Sequence, residues 1–154
     1  MYDPVPHPAL RRLEPLIGIW EMYARGEDVG PVRTEIAWLE GGAFLHQRAF
    51  LGPETVLPED WQAHAPFPTS CVTGYDDTAD EFTVLYADGR GVARVYRADL
   101  VDGVWRQWRA APGFHQRFEA VVDPEGGTVT GAWEFSEDGS SWRRDVEVTY
   151  RRVR

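Results

Sequence analysis

Pro15–Gly26 reads PLIGIWEMYARG, and the spacing inside it decides the fold. Trp20, Met22 and Ala24 alternate with Glu21, Tyr23 and Arg25, the period of two that belongs to a strand with one packed face and one wet face. Just before it, 8–16 has helical spacing. Pro8 suits a first helical turn, Leu10, Leu13 and Leu16 (or Ile17) recur on one side, and Pro15 helps to end the segment. A short helix running into a strand through Gly18-x-Trp20 predicts an indole plugging the floor of a β-barrel, with the helix covering that end.

The rest of the chain reads as short strands separated by turn residues. They fall at about 19–25, 32–39, 43–51, 70–75, 81–88, 92–100, 104–110, 115–122, 128–135 and 142–152. Most are joined by tight turns (EGG, DDTAD, GRG, VDG, APG, DPEGG), so neighbours in sequence pair antiparallel as a meander. In the last strand Trp142, Arg144, Val146, Val148 and Tyr150 share one face, and Arg143, Asp145, Glu147, Thr149 and Arg151 the other. Left open, ten such strands expose two unpaired edges, and closing the sheet removes them. Closure sets the last strand beside the first, so Arg151 or Arg152 is expected over the Trp20 indole as a cation–π partner. The expected fold is all-β: one domain over 1–154, a closed antiparallel meander barrel of about ten strands with an N-terminal helix over one end.

Composition narrows the partners. The 154 residues carry a net charge of −9, with a pI near 4.9. Such a chain repels phosphate backbones and anionic lipid surfaces, so nucleic acid and membranes are not expected partners. No run approaches the ~18 apolar residues of a membrane span. Cys71 is the single cysteine, which excludes a disulfide framework and suggests a reducing compartment. The opening MYDPVPHPALRR lacks the apolar stretch of a secretory leader. A cytoplasmic location is therefore expected, and a homodimer is compatible with the sequence. All 16 basic residues are Arg. That skew reads as genomic base composition except where individual arginines are buried for their planar fork.

The stretches LEPLIGIWEM, WLEGGAFLHQR, GYDD, RGVARVY, WRQWRAAPGFHQRF, GAWEFSEDGSSW and VTYRR span 13–152. Together they resemble a bacterial family of calycin-like barrels related to lipocalins, fatty-acid-binding proteins and nitrobindin-like proteins. The resemblance implies a barrel with an internal cavity and no established reaction. Two departures stand out. The connection 52–69, GPETVLPEDWQAHAPFPT, is longer than the resemblance implies. It reads either as a surface insertion or as a lid carrying Trp61, His64 and Phe67. Nitrobindin-like relatives also show a G-x-W-x-G-x-G start and a late histidine. Here the start is GIWEMYARG and no histidine follows His115, so no cofactor is expected and haem or a metal is kept only as the second alternative.

Standard catalytic motifs are missing, including G-x-S-x-G, H-E-x-x-H, the P-loop and G-x-G-x-x-G. The histidines His7, His46, His64 and His115 show no metal-ligand spacing, so no metal site is assigned. Three constellations remain. In RGVARVY, Arg94 and Tyr96 share a strand face and can clamp a carboxylate by charge and hydroxyl. The other reading places both in solvent beside Asp88 and Asp99. Tyr86, on the preceding strand, joins this group. In WRQWRAAPGFHQRF, Trp105, Gln107 and Arg109 share one face and Arg106 and Trp108 the other; His115 and Arg117 oppose Gln116 and Phe118. Aromatic and polar residues mix on both sides, as in a polar-lined cavity. In FLHQRAF, Phe44, His46, Arg48 and Phe50 oppose Leu45, Gln47 and Ala49, and the length of the EGG turn decides which set faces in. The expected ligand site therefore draws on Arg48, Trp61, Tyr86, Arg94, Tyr96, Trp108, Arg109 and Arg117. His46 and His115 are the candidates for acid–base chemistry. The function expected is binding of a small, largely apolar molecule with an acidic or oxygenated head. The alternative is a cofactor-free cyclase, isomerase or hydrolase using the same pocket.

Overall fold

The structure is a computed structural model and describes residues 2–154. A 3-10 helix, Pro8–Leu16, precedes ten strands: β1 Gly18–Ala24, β2 Val29–Leu39, β3 Phe44–Leu51, β4 Thr69–Asp76, β5 Glu81–Asp88, β6 Ala93–Val101, β7 Val104–Arg109, β8 His115–Val122, β9 Thr128–Ser136 and β10 Arg143–Arg152. Each strand pairs antiparallel with its sequence neighbour, and β1 pairs β10, so the meander closes on itself. A single turn of helix, α1 (Glu59–Gln62), lies between β3 and β4.

The floor is built around the opening stretch. The side chains of Leu10, Leu13 and Leu16 enter the core from the helix, and His7 caps its start by accepting the Ala9 amide at 3.1 Å. Trp20 is 1% exposed and its indole N–H donates to the Leu16 carbonyl at 2.9 Å. Arg152, paired with Trp20 in the ladder, lies 4.1 Å over the indole ring. Its guanidinium also donates to the carbonyls of Gly126 (2.6 Å), Ile17 (2.6 Å) and Pro15 (2.9 Å). A Cβ at residue 18 would stand 2.4 Å from Arg152 Nη1 and 2.6 Å from the Arg154 carbonyl oxygen. Gly18 therefore precedes Trp20 because the arginine that stacks on the indole needs that space. Arg151 points the other way, bonding Glu27 at 2.7 Å and lying over Tyr23 on the outer wall.

Burial follows the expected alternation along most strands: Trp20, Met22 and Ala24 on β1, Phe82 and Val84 on β5, and Phe118, Ala120 and Val122 on β8 are all buried. Strand β10 departs from it. The ladder slips between Arg144 and Val146, a bulge that moves one residue out of phase. Val146, Val148 and Tyr150 face inward, whereas Arg144 reaches Glu147 and Trp142 lies under Arg117, both outside. The single face expected for Trp142 through Tyr150 is thus split by the bulge. On β3, the connection 40–43 sets Leu39 opposite Phe44. That register turns Leu45 and Ala49 into the core and puts Phe44, His46, Arg48 and Phe50 outside.

Candidate functional site

The helix seals one end, so the opposite end is the one that can admit a molecule. There the ends of β5, β7 and β9 meet the starts of β6, β8 and β10. Segment 52–69 crosses the β1–β3 side of this mouth. Leu57 is buried, and Trp61, Ala65 and Phe67 pack on the core, while His64 stays exposed. Arg25, at the end of the β1–β2 hairpin, holds α1 in place. It bonds Asp60 at 2.7 Å, pairs with Asp28, and lies 5.9 Å from the centre of the Trp61 ring.

The other side of the mouth is roofed by alternating guanidinium and phenyl groups. Arg94 lies 5.3 Å from the Phe114 ring centre, Phe114 stacks on Phe135 at 5.7 Å, and Arg143 lies 5.1 Å from Phe135. Such stacking uses the guanidinium face and leaves its in-plane N–H donors free. Beneath this roof β6 and β7 part. The last ladder pair is Arg97 with Trp108, and 93–96 runs on without a partner on that side. The parting opens a hollow of about 620 Å³ that reaches the outer wall: Leu85, Val95, Arg97 and Trp108 line it together with Tyr86, Arg94, Tyr96 and Arg109.

The chemistry of the hollow lies in two of its three arginines, since Arg97 is paired with Asp76 at 2.9 Å. Among the described residues, neither Arg94 nor Arg109 has a carboxylate within ion-pairing distance. Both lie close enough to the Tyr96 hydroxyl to oppose the rise in its pKa that burial produces, Arg94 most strongly. Tyr96 is 3% exposed and donates to Gln116 Oε1 at 2.7 Å. Gln116 stands opposite Arg109 in the β7–β8 ladder. Tyr86 packs edge-on against Tyr96 at 5.9 Å and donates to Asp88 at 2.5 Å. Burial of the Asp88 carboxyl at the rim would raise its pKa. Bonds from Arg90 and Tyr86 outweigh that and hold it at about 2, so Asp88 is committed to its own partners. Asp145, on the β10 bulge, is the acid whose field reaches Arg94: partial burial pushes its carboxyl up and Arg94 pulls it back.

Below the arginines the wall is aromatic with polar tips. Trp133 meets Tyr96 and Phe118 at 5.5 and 5.0 Å, and Trp105 meets Phe118 at 5.1 Å. Tyr150 is enclosed by the barrel yet only partly buried by area, as a side chain facing hollow space must be. Burial raises its hydroxyl pKa, and Gln47 opposes that rise. Burial pushes the Cys71 thiol up to about 12, so it is a protonated core side chain and not a nucleophile.

Of the residues expected to line a pocket, Tyr86, Arg94, Tyr96 and Arg109 converge here, and Trp61 closes the far side. Trp108 faces outward and lines the outer edge of the same hollow. Two do not converge: Arg48 lies on the outer wall over Phe50 and Arg117 pairs with Glu134 at 2.8 Å. His46 reaches Ser70 on the outer wall at 2.7 Å. His115 sits on the rim, accepting the Ala111 amide at 3.0 Å as part of the β7–β8 turn. Neither histidine faces the hollow. Gln116, Gln47, Trp133 and Tyr150 line the interior without having been singled out. A polar residue on a packed face was the available signal for the two glutamines. A larger hollow, about 730 Å³, lies outside the barrel along β7–β10. Its arginines are already matched: Arg106 with Glu119, Arg117 with Glu134 and Arg144 with Glu147. No group of three or more His, Cys, Asp or Glu that could hold a metal ion occurs among the described residues, and no helix is long and apolar enough to cross a membrane.

The geometry thus defines a closed ten-stranded antiparallel barrel with one sealed end, one arginine-bearing mouth and aromatic walls. Neither a family model nor a curated protein matches the sequence. Solved structures do, among them Rv2717c from M. tuberculosis. It superposes with a TM-score of 0.56 over 97% of this chain and 100% of that one, at 15% identity. At that identity the likeness shows the fold.

Proposed function

We propose that this chain is a calycin-like barrel that binds a small, largely apolar molecule through an anionic head. Arg94 and Arg109 receive the head and the aromatic walls receive the body. The observation that carries this reading is the pair of inward arginines without a carboxylate partner. Arg94 and Arg109 are half-buried, and a guanidinium drawn partly out of water is unfavourable unless an anion or water meets it. Many other arginines are matched by a carboxylate, among them Arg97 by Asp76, Arg117 by Glu134 and Arg90 by Asp88, and Arg152 is matched by backbone carbonyls. Two left unmatched at the one open end are best explained by a ligand that supplies the charge. Tyr86 and Asp88 serve each other, so the head is met by the arginines.

Isothermal titration with 4-benzylbenzoate and its methyl ester tests this. The acid is expected to bind at least about tenfold more tightly than the ester, a difference of about 1.4 kcal/mol. Arg94→Met and Arg109→Met should each remove most of that preference. Equal binding of acid and ester, or an unchanged preference in both variants, refutes the anionic-head reading.

A further inference from the structure

We propose that the ligand of this mouth carries a secondary amide beside its anionic head, as an N-acyl amino acid does, and that the parted edges of β6 and β7 recognise that amide. The inference rests on the anionic-head reading above.

The register of β6 fixes which backbone groups face the parting. The β5–β6 hairpin closes with the Asp88 amide donating to the Val92 carbonyl at 3.0 Å. In an antiparallel ladder the bonded pairs recur at every second residue. Tyr86 with Arg94 and Val84 with Tyr96 are therefore the next pairs to exchange bonds. Arg94 and Tyr96 aim their backbone groups at β5, so Val95, between them, aims its N–H and C=O toward β7.

No residue of β7 meets them. The β6–β7 ladder runs from Val101 with Val104 to Arg97 with Trp108 and stops there. One further bonded pair in that register would have set Val95 opposite Ala110. Trp108 faces Arg97 across the ladder, and two residues on, the Ala110 N–H turns to β6 in the same way. Among the described residues no backbone bond crosses the parting to either Val95 or Ala110. Both are exposed, and both line the hollow.

An open edge on each side fits one kind of group. The N–H and C=O of a trans amide lie in one plane and point in opposite directions. A single amide in the parting donates to the Val95 carbonyl and accepts from the Ala110 N–H, so the ligand supplies the missing rung. The anion site adjoins it on both strands, because Arg94 precedes Val95 and Arg109 precedes Ala110. A carboxylate one carbon from the amide comes next to those two residues, which is the spacing of an N-acyl amino acid. A ketone in place of the amide makes only one of the two bonds and leaves the Val95 carbonyl without a donor. It is also the easier group to take out of water, so a preference for the amide has to come from the two edges.

Titration with N-(4-phenylbutanoyl)glycine and 4-oxo-7-phenylheptanoate tests this, since the two acids differ by an N–H in place of a methylene. Wild-type protein is expected to favour the amide by about fivefold or more. Ala110→Pro deletes the N–H that faces the parting, at a position beyond the end of β7, and should weaken the acylglycine by about fivefold. Hydrogen exchange on wild-type protein keeps the test valid if that variant fails to fold. The Ala110 amide should exchange about tenfold faster than that of Arg109 in the free protein, and slow by about tenfold when the acylglycine saturates the site. Equal binding of the two acids, a tighter ketone, or an Ala110 amide left unprotected by the acylglycine overturns the amide reading. So does an acylglycine that fails to bind. The preference for 4-benzylbenzoate over its methyl ester involves no amide, so its persistence in any of those cases leaves the anionic-head reading intact. Its absence as well overturns both.

Discussion

Arg152→Met is the sharpest test of how the barrel closes. Methionine keeps an unbranched stem over the Trp20 indole, so the change removes charge and donors while sparing most packing. Three contributions disappear. The guanidinium at 4.1 Å from the ring is worth about 0.5–2 kcal/mol. The bonds to the Ile17 and Gly126 carbonyls, both 2.6 Å and partly buried, contribute about 0.5–1.5 kcal/mol each in net terms. The third, to Pro15, is solvent-exposed, and water replaces it at little cost. The expected loss is about 3 kcal/mol, a large share of the ~5–15 kcal/mol that holds a domain of this kind together. Urea unfolding followed by tryptophan fluorescence reads it directly, and the melting temperature should fall by roughly 6–12 °C. Arg152→Lys should recover less than half, because an ammonium cannot stack on the indole and reach diverging carbonyls at once. A double-mutant cycle with Trp20→Phe should show a coupling of about 0.5–2 kcal/mol. A loss under about 1 kcal/mol for Arg152→Met, or full recovery by lysine, would refute the idea that this guanidinium locks first strand to last.

Other outcomes follow from the same geometry. Gly131→Ala places a Cβ 2.1 Å from the Glu119 carbonyl oxygen and 2.5 Å from the Ala120 Cα; it should cost about 1–3 kcal/mol or more by overpacking. Gly52→Ala, with open space around its Cβ, should melt like wild type and serve as the control. Asp88, Asp76 and Asp138 are each held at about 2, below the ~3.9 of an unfolded aspartate. Groups with a depressed folded pKa add stability above pH ~4 that disappears as pH falls toward 2. The urea midpoint should therefore drop over that window, and Asp138→Asn should flatten the drop; a constant midpoint contradicts it. Arg25→Ala should leave stability nearly unchanged, since its pairs are exposed, but chymotrypsin should cut faster after Trp61 as α1 comes loose. Unchanged cleavage would mean that Arg25 does not hold the strap.

Period two carried most of the fold. β1, β5 and β8 alternate as their sequences dictate, and the Gly18–Trp20 stretch together with a late arginine was enough to indicate closure. What period two could not supply was phase. On β3 the inward set depended on whether the EGG connection shortened or lengthened by one residue, and the 40–43 link resolved it against Arg48 and His46. On β10 a bulge near Asp145 changed phase in mid-strand, which no alternation pattern reveals beforehand. The site suffered more than the fold from this. Arg94 and Tyr96 could be paired by spacing alone, because residues two apart on one strand share a face whatever the register. Arg109 and Gln116 meet Tyr96 only through the β6–β7–β8 registers, a relation across strands that the sequence does not carry. Arg117 was misplaced for the same reason: in HQRF both faces mix aromatic and polar residues, so composition could not choose between them.

The two ends of the barrel use the same residue type for opposite purposes, and the difference lies in what each guanidinium meets. At the floor, Arg152 is surrounded by fixed backbone acceptors and an indole face. Its donors are committed and its charge rests on a π surface, so the end is sealed by groups that cannot leave. At the mouth, Arg94 also rests on an aromatic face, but no carbonyl ladder and no paired carboxylate uses up its edge. Its charge acts instead on the Tyr96 hydroxyl, opposing the rise in pKa that burial produces. Because stacking fixes a guanidinium's plane without spending its N–H groups, one interaction makes a lock when acceptors are built in and a receptor when they are withheld. On the reading proposed above, the acceptor withheld at the mouth is the one an anionic head would supply.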